Sequence, residues 1–192
     1  MSKLIPTAEL TLGPFFPPQY VDARASDLTV LDGRQARGEA IEIYGRVTQD
    51  DGTPTDTLVL EIWQADAAGI FRHCADTRHR DADANFMGWG RAATGKAGDY
   101  RFRTIKPGAY AMPDGKLRAP HINVLILFSG LMRQLQTVIF FAGEAANETD
   151  LVLTAVQPAA LRSRLVAHRD GSGRYRFDVR LRGEDETPFF QD

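Results

Sequence analysis

The residues best suited to chemistry lie between Gly88 and Phe128, in GWGRAATGKAGDYRFRTIKPGAYAMPDGKLRAPHINVLILF. Tyr110 follows a Lys-Pro-Gly turn, and His121 opens an apolar run with Arg118 three positions before it. Phenolate oxygen and imidazole nitrogen together suit ferric iron, so a tyrosine and a histidine near a strand entrance could form half of a metal site. A complete site needs further ligands. The same pair also fits a half-buried loop tyrosine and a hydrogen-bonded histidine beneath a sheet, because isolated residues seldom mark a site.

The elements that must position these residues read as strands. Tyr100, Phe102 and Thr104 alternate with Arg101 and Arg103, a half-buried pattern. Ile41, Ile43, Gly45 and Val47 alternate with Glu42, Tyr44 and Arg46 up to the turn Asp50-Asp51-Gly52, and Leu58, Leu60 and Ile62 continue the pattern on the next strand. Trp63 and Gln64 at its end either line a pocket or close the edge of the sheet. His121–Phe128 and Thr137–Phe141 are nearly continuous apolar runs, as expected of strands covered on both faces. After a short helix or turn around Pro158–Arg164, Tyr175, Phe177, Val179 and Leu181 face one way, while Arg174, Arg176, Asp178, Arg180 and Arg182 face the other. About eight short strands with Gly, Pro and Asp turns and almost no helical periodicity predict an all-β antiparallel sandwich. The first 20 residues carry four prolines and a Thr-Leu-Gly-Pro-Phe-Phe run, so they predict an irregular arm that is still apolar enough to pack against something.

The chain has 192 residues, 43% hydrophobic and 25% charged, which is enough for one core and free of any bias toward disorder. A net charge of −2 gives no general attraction to nucleic acid or an anionic membrane. The arginine face of the last strand is offset by Asp178 and the Glu184-Asp185-Glu186 that follows, so it reads as solvated or subunit-facing. Cys74 is the single cysteine and closes no internal disulfide; beside His73 and His79 it reads as part of a polar surface loop. No run reaches the roughly 18 apolar residues of a membrane helix and no leader is evident, so a cytoplasmic location is expected.

GRAATGKAGDYRFRTIKPGAYA followed by RAPHINVLILF resembles the intradiol ring-cleaving dioxygenases, in particular those built from two kinds of chain. LVLEIWQADAAG, NFMGWGR and GRYRFDVRLRGEDETPFF are similar too, so the resemblance runs colinearly over most of the chain. In that family the catalytic chain holds iron(III) with two tyrosines and two histidines, the histidines as His-x-His. Here Tyr110 occupies one tyrosine position, Arg118 the position of an arginine beside the substrate, and His121 one histidine position, but Asn123 stands where the second histidine belongs. The other tyrosine is absent from DTRHRDADA, where an ungapped match puts Arg78. An amide and a guanidinium cannot replace the missing ligands.

The resemblance therefore implies a non-catalytic alpha-type chain that binds no metal itself. Its paralogous beta chain would carry Fe(III), and the two would assemble into a higher-order alpha–beta oligomer cleaving 3,4-dihydroxybenzoate or a close catechol relative with dioxygen. Residues 1–30 would be an arm packing on the partner and 31–192 the family domain. Thr11, Gly13 and Pro14, with Phe15 beside them, match a segment that reaches the partner's iron pocket. Family alpha chains often place an arginine that faces the substrate carboxylate where Ser129 stands; here the arginine is displaced to Arg133. Two other readings are a stand-alone iron enzyme using Tyr110, His121, His79 and Asp81, and a β-sandwich binding module without chemistry.

Overall fold

The computed structural model describes residues 16–17, 22–129, 131 and 133–190. Thr11, Gly13, Pro14 and Phe15 lie outside them. In chain order the strands are β1 (Val30–Leu31), β2 (Arg34–Gln35), β3 (Ala40–Thr48), β4 (Leu58–Gln64), β5 (Trp89–Ala93), β6 (Asp99–Ile105), β7 (Tyr110–Ala111), β8 (Leu117–Arg118), β9 (His121–Phe128), β10 (Leu135–Phe141), β11 (Val166–Arg169), β12 (Arg174–Arg176) and β13 (Val179–Arg180). One short α-helix, α1 (Leu151–Ala155), and the 3-10 turn Ala159–Leu165 separate β10 from β11. No helix among the described residues is long and apolar enough to cross a membrane.

The all-β expectation holds, but the purely antiparallel sandwich does not. Nine strands form one mixed sheet in the order β13-β3-β12-β11-β10-β9-β4-β5, with β6 on β3. β11 runs parallel to β10, and both β12 and β13 run parallel to β3. Alternation tells which face of a strand is buried and nothing about the direction of its neighbour. Residues 142–165 supply a crossover long enough to bring the chain back in the same direction, as parallel pairing requires.

The sheet curls so that β3 and β6 meet β4 and β9 across a single core of Ile41, Ile43, Phe102, Leu60, Ile62, Ile122, Val124 and Ile126, with Phe141 and Tyr175 in edge contact at its end. Leu28 belongs to the same core, and its amide bonds the Arg103 carbonyl, so the chain is on its own sheet by that residue. Gly45 is where β3 passes under the break between β12 and β13: a Cβ there would come within 1.8 Å of the Phe177 carbonyl oxygen. That carbonyl also accepts from the Tyr100 hydroxyl at 2.6 Å. A smaller cluster of Ala119, Val138, Phe140, Leu153, Val156 and Leu165 packs α1 and the following 3-10 turn onto the other face of β10. With this second layer both faces of β10 are covered, as its apolar run predicts, and Asp150 is carried to the entrance of β9. The arginines of the last strand are paired, Arg174 with Glu42, Arg176 with Asp178 and Arg182 with Asp50.

Candidate functional site

The loop between β4 and β5 is built around Asp66, a buried acid. Its Oδ1 accepts from the amides of Ala68 and Ile70 at 2.9 and 3.0 Å, and its Oδ2 from that of Asp83 at 2.8 Å. Gly69, at φ +72, turns back within this bracket, and a side chain there would strike the Ala109 carbonyl. The loop is thereby pinned against the chain entering β7. Gln64, at the end of β4, is buried and bonds the Thr104 hydroxyl and the Ile105 carbonyl. Trp63 instead faces a cleft.

Tyr110 pairs with Arg118 between β7 and β8. Its ring lies 5.4 Å from Phe71 in an edge contact and 5.8 Å from His121, while Trp63 stacks on Phe71 at 6.1 Å. Arg78 lines the same cleft as Tyr110, Phe71 and Trp63, and its charge is felt at the Tyr110 phenol. Its Nη2 donates to the Gly69 carbonyl at 2.8 Å, and Nε and Nη2 pair with Asp76. Burial opposes ionisation of Asp76, yet the amides of Arg78 and Phe71 and the Arg78 guanidinium hold its carboxyl below the usual value.

His121 is 4% exposed. Its Nδ1 lies 2.6 Å from the Ala119 carbonyl, so Nδ1–H donates and Nε2 carries the lone pair. Arg118 Nη2 donates toward that lone pair at 3.5 Å. Burial, assisted by the Arg118 charge, pushes the imidazole down to about 4, so it is neutral at physiological pH. Arg118 Nε bonds Asp150 Oδ2 at 2.8 Å. Asp150 has no exposed side-chain surface and caps α1, accepting from Val152 and Leu153 at 2.9 and 3.1 Å and from Ala119 at 2.9 Å. Sequence reading passed over this residue, although an aspartate directly before Leu-Val-Leu is a helix-start signal. Asn123 donates from Nδ2 to the Trp63 carbonyl at 3.2 Å.

This donor set does not suit the iron(III) that the resemblance attaches to the family. The imidazole lone pair meets a guanidinium, a second guanidinium lines the cleft with the tyrosine, and Asn123 presents an amide. Among the described residues, no three of His, Cys, Asp and Glu converge as a metal group, so His79 and Asp81 add no such cluster. His79 bonds the Asp76 carbonyl instead. Arg133 is exposed and Ser129 half-buried in the β9–β10 turn, and Cys74 is exposed.

Residues 12–183 match the family described as Dioxygenase. The chain is 38% identical to the protocatechuate 3,4-dioxygenase alpha chain of Burkholderia cepacia over 99% of both chains. It is 36% identical to the beta chain from the same organism over 79% of this chain and 68% of that one. Among solved structures, 3-chlorocatechol 1,2-dioxygenase from Rhodococcus opacus 1CP superposes with a TM-score of 0.64 at 22% identity, covering 91% of this chain and 70% of that one, a likeness of fold. The dioxygenase domain of a carbohydrate-binding fusion from Streptomyces sp. SirexAA-E gives 0.61 at 26% identity over 92% and 98%. By sequence and by fold, the chain belongs to the intradiol ring-cleavage dioxygenase family.

Proposed function

We propose that this chain is the non-catalytic alpha subunit of a cytoplasmic alpha–beta intradiol dioxygenase. The complex opens 3,4-dihydroxybenzoate, or a close catechol relative, with dioxygen to 3-carboxy-cis,cis-muconate, a step in the breakdown of aromatic compounds. The iron(III) belongs in this reading to the paralogous beta chain. The observation that carries it is the state of the chain's own site: Arg118 spans His121 and Asp150, and Arg78 sits beside Tyr110, so positive charge fills the ground where metal ligands would converge. End-to-end similarity to an alpha chain supports the same assignment. The chain's share is then pocket wall and assembly interface, with Thr11, Gly13, Pro14 and Phe15 of the arm and Arg133 of the β9–β10 turn as its contributions to the partner's pocket. The arm packs on the partner only ahead of Leu28, where the chain joins its own core, and its apolar residues call for an interface burying more than about 2,000 Å² in total.

The test is metal analysis and visible absorption of the chain expressed alone and with a beta chain. Iron and a tyrosinate charge-transfer band are expected only in the co-expressed complex. Asn123→His by itself leaves the isolated chain colourless, because Arg78 and Arg118 still occupy the site. Near-stoichiometric iron with a visible band in the isolated wild-type chain overturns the assignment.

A further inference from the structure

A second cavity lies apart from the Tyr110 cleft and, among the described residues, shares no lining residue with it. It encloses about 610 Å³, within the roughly 300–1,000 Å³ typical of small-molecule sites. It opens where β3 exchanges one parallel neighbour for another, between Arg176 at the end of β12 and Val179 at the start of β13. Phe177 and Val179 give it an apolar lining. Arg46, Arg164, Arg176 and Arg180 bring four guanidinium groups to the same space, against the two carboxylates of Asp178 and Asp185.

The two acids leave that charge uncancelled. Asp178 serves its own neighbourhood, pairing with Arg176 at 2.8 Å and accepting from the Arg46 amide at 3.0 Å. Asp185 is 72% exposed and reaches Arg164 only at 3.4 Å. Arg164 is held instead by the carbonyls of Glu184 and Glu186 at 2.9 and 3.2 Å, and Arg180 by the Asp50 carbonyl at 3.0 Å. A carbonyl fixes the direction of a guanidinium without neutralising it. Both arginines are half-buried, so solvent and salt screen them less than fully exposed charges. They are also set on one frame: the Thr187 amide donates to the Arg180 carbonyl at 3.0 Å, the Thr187 hydroxyl accepts from the Arg180 amide at 3.0 Å, and the carbonyls that hold Arg164 belong to the same turn. An excess of two positive charges on a preset frame calls for a compact dianion. Arginine forks match phosphate oxygens two at a time, and a phosphate monoester concentrates close to two charges on one group at pH 7. The chain's net charge of −2 opposes an extended polyanion such as nucleic acid.

We propose that this groove is a second ligand site, one that binds the phosphate group of a small metabolite between Arg164 and Arg180, with Arg46 and Arg176 at its rim. The proposal does not require the chain to be an alpha subunit. The purified full-length protein, with its beta chain if it is isolated as a complex, is titrated by calorimetry at fixed ionic strength with inorganic phosphate, glycerol 3-phosphate and acetate. Saturable binding of both phosphates is expected, with a Kd below about 1 mM, and acetate should bind at least about tenfold more weakly. Arg180→Gln should weaken phosphate about tenfold or more and Arg46→Gln about threefold. Arg101→Gln, which removes an exposed arginine of β6 outside the groove, should leave the affinity unchanged; the arginine variants thereby separate this site from any other anion site of a complex. Because Arg180 also anchors Asp50, the Arg46→Gln variant decides if Arg180→Gln is unstable: the Arg46 guanidinium holds no other element in place, and only its backbone amide bonds Asp178. Sedimentation with phosphatidic acid vesicles distinguishes a lipid headgroup from a free metabolite. No saturable phosphate binding, equal affinity for acetate, unchanged affinity in Arg46→Gln, a loss in Arg101→Gln equal to that in Arg180→Gln, or vesicle binding without affinity for the free phosphates overturns the proposal. None of these readouts depends on ring cleavage, so failure here leaves the proposed function standing, and the reverse.

Discussion

Replacing Arg118 with methionine keeps most of the packing and removes one charge from the site. Asp150 would then be a carboxylate with no exposed side-chain surface and no cation, since Arg118, itself only 11% exposed, is its ion-pair partner at 2.8 Å. At an effective dielectric of 20 the lost attraction is about 6 kcal/mol, and breaking one side of a buried pair typically costs about 3–5 kcal/mol. Two features lower that figure. The carboxylate keeps the amides of Ala119, Val152 and Leu153, and it can take up a proton, which at pH 7 caps the penalty near 4 kcal/mol for a group of ordinary pKa 3.9. The expected loss is therefore about 3 kcal/mol. Burial alone would raise the Asp150 carboxyl, but Arg118 and the backbone amides outweigh it and hold the folded-state value below the usual one. A depressed carboxylate stabilises the fold above its unfolded pKa, and that contribution fades as pH falls through the folded value. The gap between wild type and Arg118→Met should thus be full at neutral pH and close below about pH 4. Urea denaturation followed by tryptophan fluorescence, at fixed protomer concentration, measures both. A loss under about 1 kcal/mol with an unchanged m value, or a gap that does not depend on pH, would refute the argument.

His121 should add a second pH dependence with the same sign by a different route: its folded pKa of about 4 lies under the ordinary 6.5, so the unfolded chain takes up a proton first. Stability is full above about pH 6.5 and falls by up to about 3 kcal/mol on the way to pH 4, and thermal midpoints of His121→Gln should lose that slope. Gly45→Ala should cost about 3 kcal/mol, because the new methyl meets the Phe177 carbonyl oxygen at 1.8 Å and β12–β13 must shift; a thermal midpoint within about 2 °C of wild type would contradict this. For the proposed pocket, Gly13→Val in the co-expressed complex should reduce kcat/KM about tenfold with iron retained, and wild-type kinetics would place the arm elsewhere. Arg133→Ala should impair an acid-bearing catechol far more than catechol itself, and equal losses would remove Arg133 from anion recognition.

The local order of this chain was written in its residues. Alternation at Ile41–Val47, Leu58–Ile62 and Tyr100–Thr104, and the apolar run from His121, place strands where they occur, because burying one face of a pleated strand demands a period of two. The donor chemistry of Asn123 and Arg78, an amide and a guanidinium where the resemblance implies ligands, was equally legible, because residue type alone determines it. Strand direction was not legible: β10∥β11 and β3∥β12 depend on where the crossover through α1 returns the chain, and alternation is identical for parallel and antiparallel neighbours. Nor could spacing bring Asp150 to Arg118, residues 32 positions apart. Packing α1 on Phe140 and Val138 accomplished that, and with it decided that the His121 lone pair faces a guanidinium. Such pairings arise only when separate elements share one surface, so they belong to the tertiary structure.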